Sequence, residues 1–143
     1  MKVIDGTNLV MGRLAAKAAK YLLSGEEVVI LNAERIVIVG RTENIVGKYW
    51  ERRQRKDKAK PENSAKTPRR PDMFVKRVIR GMLPFKRSRG RKAFEGLRVY
   101  VGEPAQFKDT AREDMSRMSC LNVKSRYIDV GKVCERLGYN KGV

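Results

Sequence analysis

With 143 residues, 41% of them apolar, the chain suits one domain and is too rich in core-forming residues to be disordered throughout. Its formal charge of +17, from 33 Lys and Arg against 16 Asp and Glu, repels itself unless a polyanion neutralises it, so nucleic acid leads as partner class and an anionic membrane surface comes second. Spanning the membrane is disfavoured, because no apolar run nears the ~20 residues that cross a bilayer and Asp5 and Gly6 stand where a signal peptide needs apolar residues.

Lys2 to Asp5 reads as a short strand closed by Gly6-Thr7-Asn8. From Gly12 to Ser24 the apolar residues recur at spacings of four (Leu14, Ala18, Leu22 and Ala15, Ala19, Leu23), which marks one face of a helix stopped by Gly25. Val28 to Leu31 and Ile36 to Val39 are continuous β-branched runs of the kind found in covered strands, joined by the link Asn32-Ala33-Glu34-Arg35. Thr42 is placed to cap the next helix, and the pairs Ile45/Tyr49 and Val46/Trp50 would dock its start, with Trp50 assigned to the core. Beyond Trp50 the apolar face ends, and a helix-compatible run to Lys60 has nothing to bury.

Residues 61 to 71 hold three prolines and no periodicity, and read as a loop or linker. Pro71 can open a helix in which Phe74/Val78 and Val75/Ile79 face inward, with Gly81 as its stop. Ser88 would cap a short helix carrying Ala93, Phe94 and Leu97; Arg98 to Val101 is a fourth strand; Asp129 would cap a last helix through Leu137. The expected architecture is α/β, three-layer α/β/α with a four-stranded, mainly parallel sheet and a basic helical and loop excursion at about 48–92, all in one domain over 1–143.

Charge is not spread evenly. Residues 48 to 92 contain 18 basic and 4 acidic residues, +14 of the chain's +17. One group of candidate phosphate ligands lies early in this window: Arg52, Arg53, Arg55, Lys56, Lys58, Lys60, Arg69 and Arg70. The other follows Pro71: Lys76, Arg77, Arg80, Lys86, Arg87, Arg89, Arg91 and Lys92. Arginine suits bidentate phosphate contact and stacking on unpaired bases. Gly81, Pro84 and Gly90 are assigned to tight turns and close backbone approach. Phe85, after a proline and before Lys86-Arg87, serves stacking or interface contact as readily as core.

Catalytic chemistry is poorly represented. The chain has no His, hence no imidazole base or Ser-His pair, and Cys120 and Cys134 alone fall short of the four ligands of a zinc site. The two cysteines fit small buried residues of a reducing, cytoplasmic setting better. Gly6 to Gly12 ahead of a helix faintly suggests a phosphate-cradling turn, but it matches neither the Walker pattern nor G-x-G-x-x-G. Asp5, Glu34 and Glu43 are single acids near strand ends. The expectation is no enzyme, no cofactor, no metal and no small-molecule substrate.

Several short motifs, taken in order, carry a resemblance. Val3-Ile-Asp5 leads to Gly12-Arg13-Leu14-Ala15; Leu22-Leu23 precedes Gly25; Asn32-Ala33-Glu34 comes before the strand ending at Gly40. Arg80-Gly81-Met82-Leu83-Pro84 is followed by Arg89-Gly90, Ala93 and Gly102-x-Pro104. In this order and spacing the chain resembles the large-subunit ribosomal protein L13 family in its compact archaeal form. That resemblance implies a three-layer α/β/α fold and a structural constituent of the large ribosomal subunit. It also implies early entry into assembly, contact with large-subunit ribosomal RNA and with neighbouring large-subunit proteins, and residence in the cytoplasm on the ribosome. Two rivals remain at this stage: a DNA- or messenger-binding regulator, for which no helix-turn-helix or RNA-recognition motif is present, and a nucleotide-dependent enzyme using Gly6 to Arg13.

Overall fold

The computed structural model describes residues 1–140. Three strands, β1 (Lys2–Asp5), β2 (Val28–Leu31) and β4 (Leu97–Val99), form a parallel sheet in the order β1-β2-β4. The remaining strands, β3 (Val37–Val39) and β5 (Tyr127–Asp129), pair antiparallel as a separate ribbon. Five helices complete the described chain: α1 (Met11–Leu23), α2 (Thr42–Gln54), α3 (Pro71–Met82), α4 (Ser88–Glu95) and α5 (Val130–Arg136).

The four-stranded, mainly parallel sheet expected from the sequence is therefore corrected to a three-stranded parallel sheet and a two-stranded antiparallel ribbon. The reason lies in the link between β2 and β3. A parallel neighbour needs a crossover of a dozen or more residues, and only Asn32 to Ile36 separate the two strands. Asn32 takes a left-handed conformation (φ 53°), and a single helical turn at Ala33–Arg35 throws the chain clear of the sheet. β3 then meets the chain after β1 through one parallel bridge, Val10 to Val37, and takes β5 as its main partner.

Alternation along the strands divides the core. Ile4, Val28 and Ile30 pack with the apolar faces of α1 (Leu14, Ala15, Ala18, Leu22), α3 (Phe74, Val75, Ile79) and α5 (Val130, Val133, Cys134). Val3, Val29 and Leu31 point the other way and are covered by Phe107 of a single turn at Ala105–Phe107, with Tyr100 beside it. β2, buried at all four positions, is the centre of both clusters.

Several boundaries and caps differ from expectation. Arg41, not Thr42, is the residue before α2, and Arg87, not Ser88, precedes α4. Asp129 does stand at the head of α5, but its carboxylate pairs with Lys132 at 3.3 Å instead of capping a backbone N–H. α2 ends at Gln54, so the run to Lys60 is not helical. Trp50 is 48% exposed, a correction of its assignment to the core; Ile45 is the one buried residue of α2.

Candidate nucleic-acid interface

α3 is built so that one side must be buried and the other cannot be. Pro71 occupies its first turn, where a missing N–H costs nothing, and Phe74, Val75 and Ile79 are at most 2% exposed. Lys76, Arg77 and Arg80 fall outside that stripe. Gly81, expected to stop the helix, lies within its last turn, in a region where nothing stands within 4 Å of an added Cβ. The actual exit is Leu83-Pro84, since the ring of Pro84 pushes the preceding residue to extended backbone (Leu83 ψ 148°).

After Pro84 the chain folds onto itself around Phe85. The Arg80 guanidinium stands over the Phe85 ring, 4.0 Å from its centroid, and Phe94 of α4 meets that ring edge-on at 5.5 Å. Arg91 donates from Nε to the Phe85 carbonyl and from Nη2 to the Lys86 carbonyl, both at 3.3 Å. Gly90 of α4 lies against Pro84: a Cβ there would overlap the Pro84 carbonyl and come within 2.9 Å of the Phe85 nitrogen. Arg89 Nη2 reaches across to the Leu23 carbonyl at 3.2 Å, placing a cation at the C-terminal end of α1 where the helix dipole favours it.

The excursion between α2 and α3 is folded back rather than trailing. Asp57 organises its tip: its backbone N–H donates to Ser64 Oγ at 2.9 Å, and its Oδ1 accepts from the N–H groups of Ala59 and Lys60. Arg53 of α2 donates to the Thr67 carbonyl and so fastens the returning limb. Burial, together with the neighbouring cation of Arg69, lowers the Arg53 pKa from its ordinary value. Two open clefts result. One, of about 570 Å³, lies between α2 and α3 and includes Tyr49, Arg52, Arg55, Pro68, Arg77 and Gly81. The other, of about 480 Å³, is lined by Lys66, Thr67, Pro68, Met73, Lys76, Arg77, Arg80, Phe85 and Phe94.

The basic residues singled out from sequence thus divide into two groups. Arg53, Arg70 (paired with Asp72 at 2.9 Å), Arg80, Arg89 and Arg91 have partners inside the chain, and Arg52 lies 5.5 Å from the Tyr49 ring centroid. Arg55, Lys56, Lys58, Lys60, Arg69, Lys76, Arg77, Lys86, Arg87 and Lys92 have no hydrogen-bond, ion-pair or ring partner among the described residues, and all but the half-buried Lys76 are exposed. Uncommitted cations next to exposed apolar surface can neutralise phosphates and receive bases; they cannot perform acid–base chemistry at neutral pH. Sequence reasoning missed Lys66, which lines the second cleft, Pro68, which lines both, and Met73, 48% exposed on the cationic side of α3. An apolar residue interrupting a basic face was the available signal for Met73.

The turn after β1 is occupied by structural contacts. A Cβ on Gly6 would stand 2.8 Å from the Leu31 carbonyl oxygen and 2.7 Å from Ile36, so this glycine serves close packing. Asp5 Oδ1 accepts from the N–H and hydroxyl of Thr7 and from Asn32 Nδ2, and Oδ2 pairs with Arg112 at 2.8 Å. Arg112 in turn pairs with Glu103. Burial raises the Asp5 carboxyl pKa, but the hydrogen bonds from Asn32 and Thr7 and the charge of Arg112 outweigh it, and the group sits below the usual carboxylate range.

Comparison with known proteins supplies the family. The sequence model described as Ribosomal protein L13 matches residues 1–106. The chain belongs to the ribosomal protein L13 family. A relative from Methanosarcina barkeri, named large ribosomal subunit protein uL13, is 46% identical over 96% of this chain and 98% of its own length. Relatives of the same name from Methanopyrus kandleri and Haloarcula marismortui are 40% and 41% identical, over 96% and 97% of this chain and 86% and 92% of theirs.

Proposed function

We propose that this L13-family chain is a structural, non-catalytic constituent of the large ribosomal subunit, located in the cytoplasm on the ribosome, that binds large-subunit ribosomal RNA. The family and the shared name of the relatives support the subunit role. RNA as the direct ligand is supported by one observation above all: the uncommitted cations of residues 55–92 gather on the surface formed by the excursion, α3 and α4, while the rest of the chain is nearly charge-balanced.

In this reading Arg55, Lys56, Lys58, Lys60, Arg69, Lys76, Arg77, Lys86, Arg87 and Lys92 contact phosphates, and Arg53, Arg89 and Arg91 hold the scaffold that presents them. Clamping RNA segments from separate helices lowers their mutual repulsion and fixes their relative position, which is most useful early in subunit assembly and beside neighbouring subunit proteins. Neutralising about ten phosphates makes log K fall against log salt with a slope of roughly −7 to −9. Binding to large-subunit ribosomal RNA fragments across a salt series tests this directly. A nearly flat dependence, or failure to co-sediment with the large subunit at low to moderate salt, would overturn it.

A further inference from the structure

The 480 Å³ cleft beside α3 has a composition that phosphate contact alone does not call for. Part of its lining is apolar and aromatic: Met73, Phe85, Phe94 and Pro68. The rest is largely cationic, with Lys66, Lys76, Arg77 and Arg80. Met73 is an exposed methionine on an otherwise basic helix side, and soft, unbranched thioethers adapt to flat or irregular guests. Phe85 is half-buried, its ring held from one direction by Phe94 and covered by the Arg80 guanidinium at 4.0 Å. Thr67 and Pro68 line it from the returning limb, which Arg53 ties to α2.

We propose that this cleft receives one unpaired nucleobase of the bound RNA. The base would stack on the Arg80–Phe85 pair while the phosphates on either side of it meet Lys66, Lys76 and Arg77. The cleft's volume lies within the usual ~300–1,000 Å³ of ligand pockets. Its charge selects the occupant: an apolar side chain of a protein partner would bring no anion to four cations, whereas a nucleotide supplies a π-face and flanking phosphates in one unit. Arg80 acts here chiefly as a stacking plane already held by Phe85, which separates it from the phosphate ligands around it.

The inference rests on the RNA-binding reading, and its test distinguishes the two. The full chain is titrated with a twelve-nucleotide oligoadenylate and with an abasic oligomer of the same length and charge, across a salt series. The intact protein is expected to prefer the oligoadenylate. Phe85→Leu and, separately, Arg80→Lys are expected to weaken oligoadenylate binding roughly tenfold, leaving the salt slope and the abasic affinity unchanged. Because Phe85→Leu could loosen the Phe94 contact, a second measurement uses the unaltered protein. An oligonucleotide carrying one 5-iodouridine is photo-crosslinked, and the attachment site is expected at Phe85 or Phe94. Equal affinity for the two oligomers, or crosslinks confined to other aromatic residues, would show a phosphate-only surface and overturn the pocket while leaving RNA binding intact. Absence of salt-dependent binding to either oligomer and to ribosomal RNA would overturn both.

Discussion

Gly90 and Pro84 are in contact so close that no side chain fits between them: a Cβ on Gly90 would overlap the Pro84 carbonyl. This contact sets where α4 begins relative to the end of α3, and so how Phe94 reaches Phe85. Gly90→Ala is therefore expected to force α4 outward and cost about 1–3 kcal/mol, the usual penalty of overpacking. In a domain of this size that is a fall in melting temperature of roughly 3–10 °C. Gly81→Ala is the opposite case. Gly81 is helical, exposed and unobstructed, so alanine is expected to stabilise by about 0.4–1 kcal/mol. Thermal unfolding of the two variants, measured side by side, checks both signs.

Arg53 reaches the Thr67 carbonyl and holds the returning limb of the excursion. Arg53→Ala removes that tie without touching the core, so the global melting temperature should change little while residues 55–70 open more often. That segment carries Arg55, Lys56, Lys58, Lys66 and Arg69 as exposed trypsin sites, the bonds after Lys60 and Arg70 being blocked by Pro61 and Pro71. Limited trypsinolysis is expected to cut there several-fold faster in the variant than in the native chain, with fragments mapping between 55 and 70. Equal cleavage rates would mean that the Asp57–Ser64 loop alone orders the limb.

How much of this was legible in advance depended on range. β1, α1 and β2 carry their periodicity within a dozen residues, and each formed where the pattern placed it. β3 formed too, but its partner was not readable. Pairing with β5, some ninety residues away, follows from a tertiary fit between two three-residue strands, one of which exposes Tyr127. Trp50 repeats Val46 at the spacing of a buried face, yet α2 rests on the core mainly through Ile45, so the periodic residue stays outside. Among the basic residues, those turned inward bond mostly to backbone carbonyls, of Thr67, Leu23, Phe85 and Lys86. A carbonyl carries no residue signature, so the sequence locates the basic region but cannot separate its scaffold from its uncommitted cations.

Asp5 gives the protein a predictable response to acid. Its folded-state carboxyl titrates below the ordinary value despite burial, because Thr7, Asn32 and Arg112 favour the charged form. The unfolded chain therefore takes up a proton first as pH falls. The stabilisation from Asp5 is complete above the unfolded value of about 3.9 and disappears as pH drops through the lower folded value. Asp5→Asn, which loses the charge but not the size, is expected to cost about 1–2 kcal/mol near neutral pH. The gap between variant and native protein should close in denaturant unfolding below the ordinary carboxylate range. A gap that persists undiminished in acid would assign the loss to packing instead.

Arg77 and Arg87 separate binding from folding most cleanly. Arg77 lies on α3 and Arg87 just before α4, both exposed and both without an internal partner among the described residues. Arg80 is less suitable for this purpose, since its guanidinium covers Phe85. Arg77→Gln combined with Arg87→Gln is expected to shift unfolding free energy by no more than about 0.5 kcal/mol. Binding to ribosomal RNA fragments should weaken evenly across sequences, with the salt slope reduced by roughly 0.7–0.9 for each lost phosphate contact. The double variant should also compete poorly with native protein for incorporation into large subunits. If its salt slope matches the native one while incorporation still falls, the two arginines do not meet phosphate, and the loss must come through neighbouring protein surface.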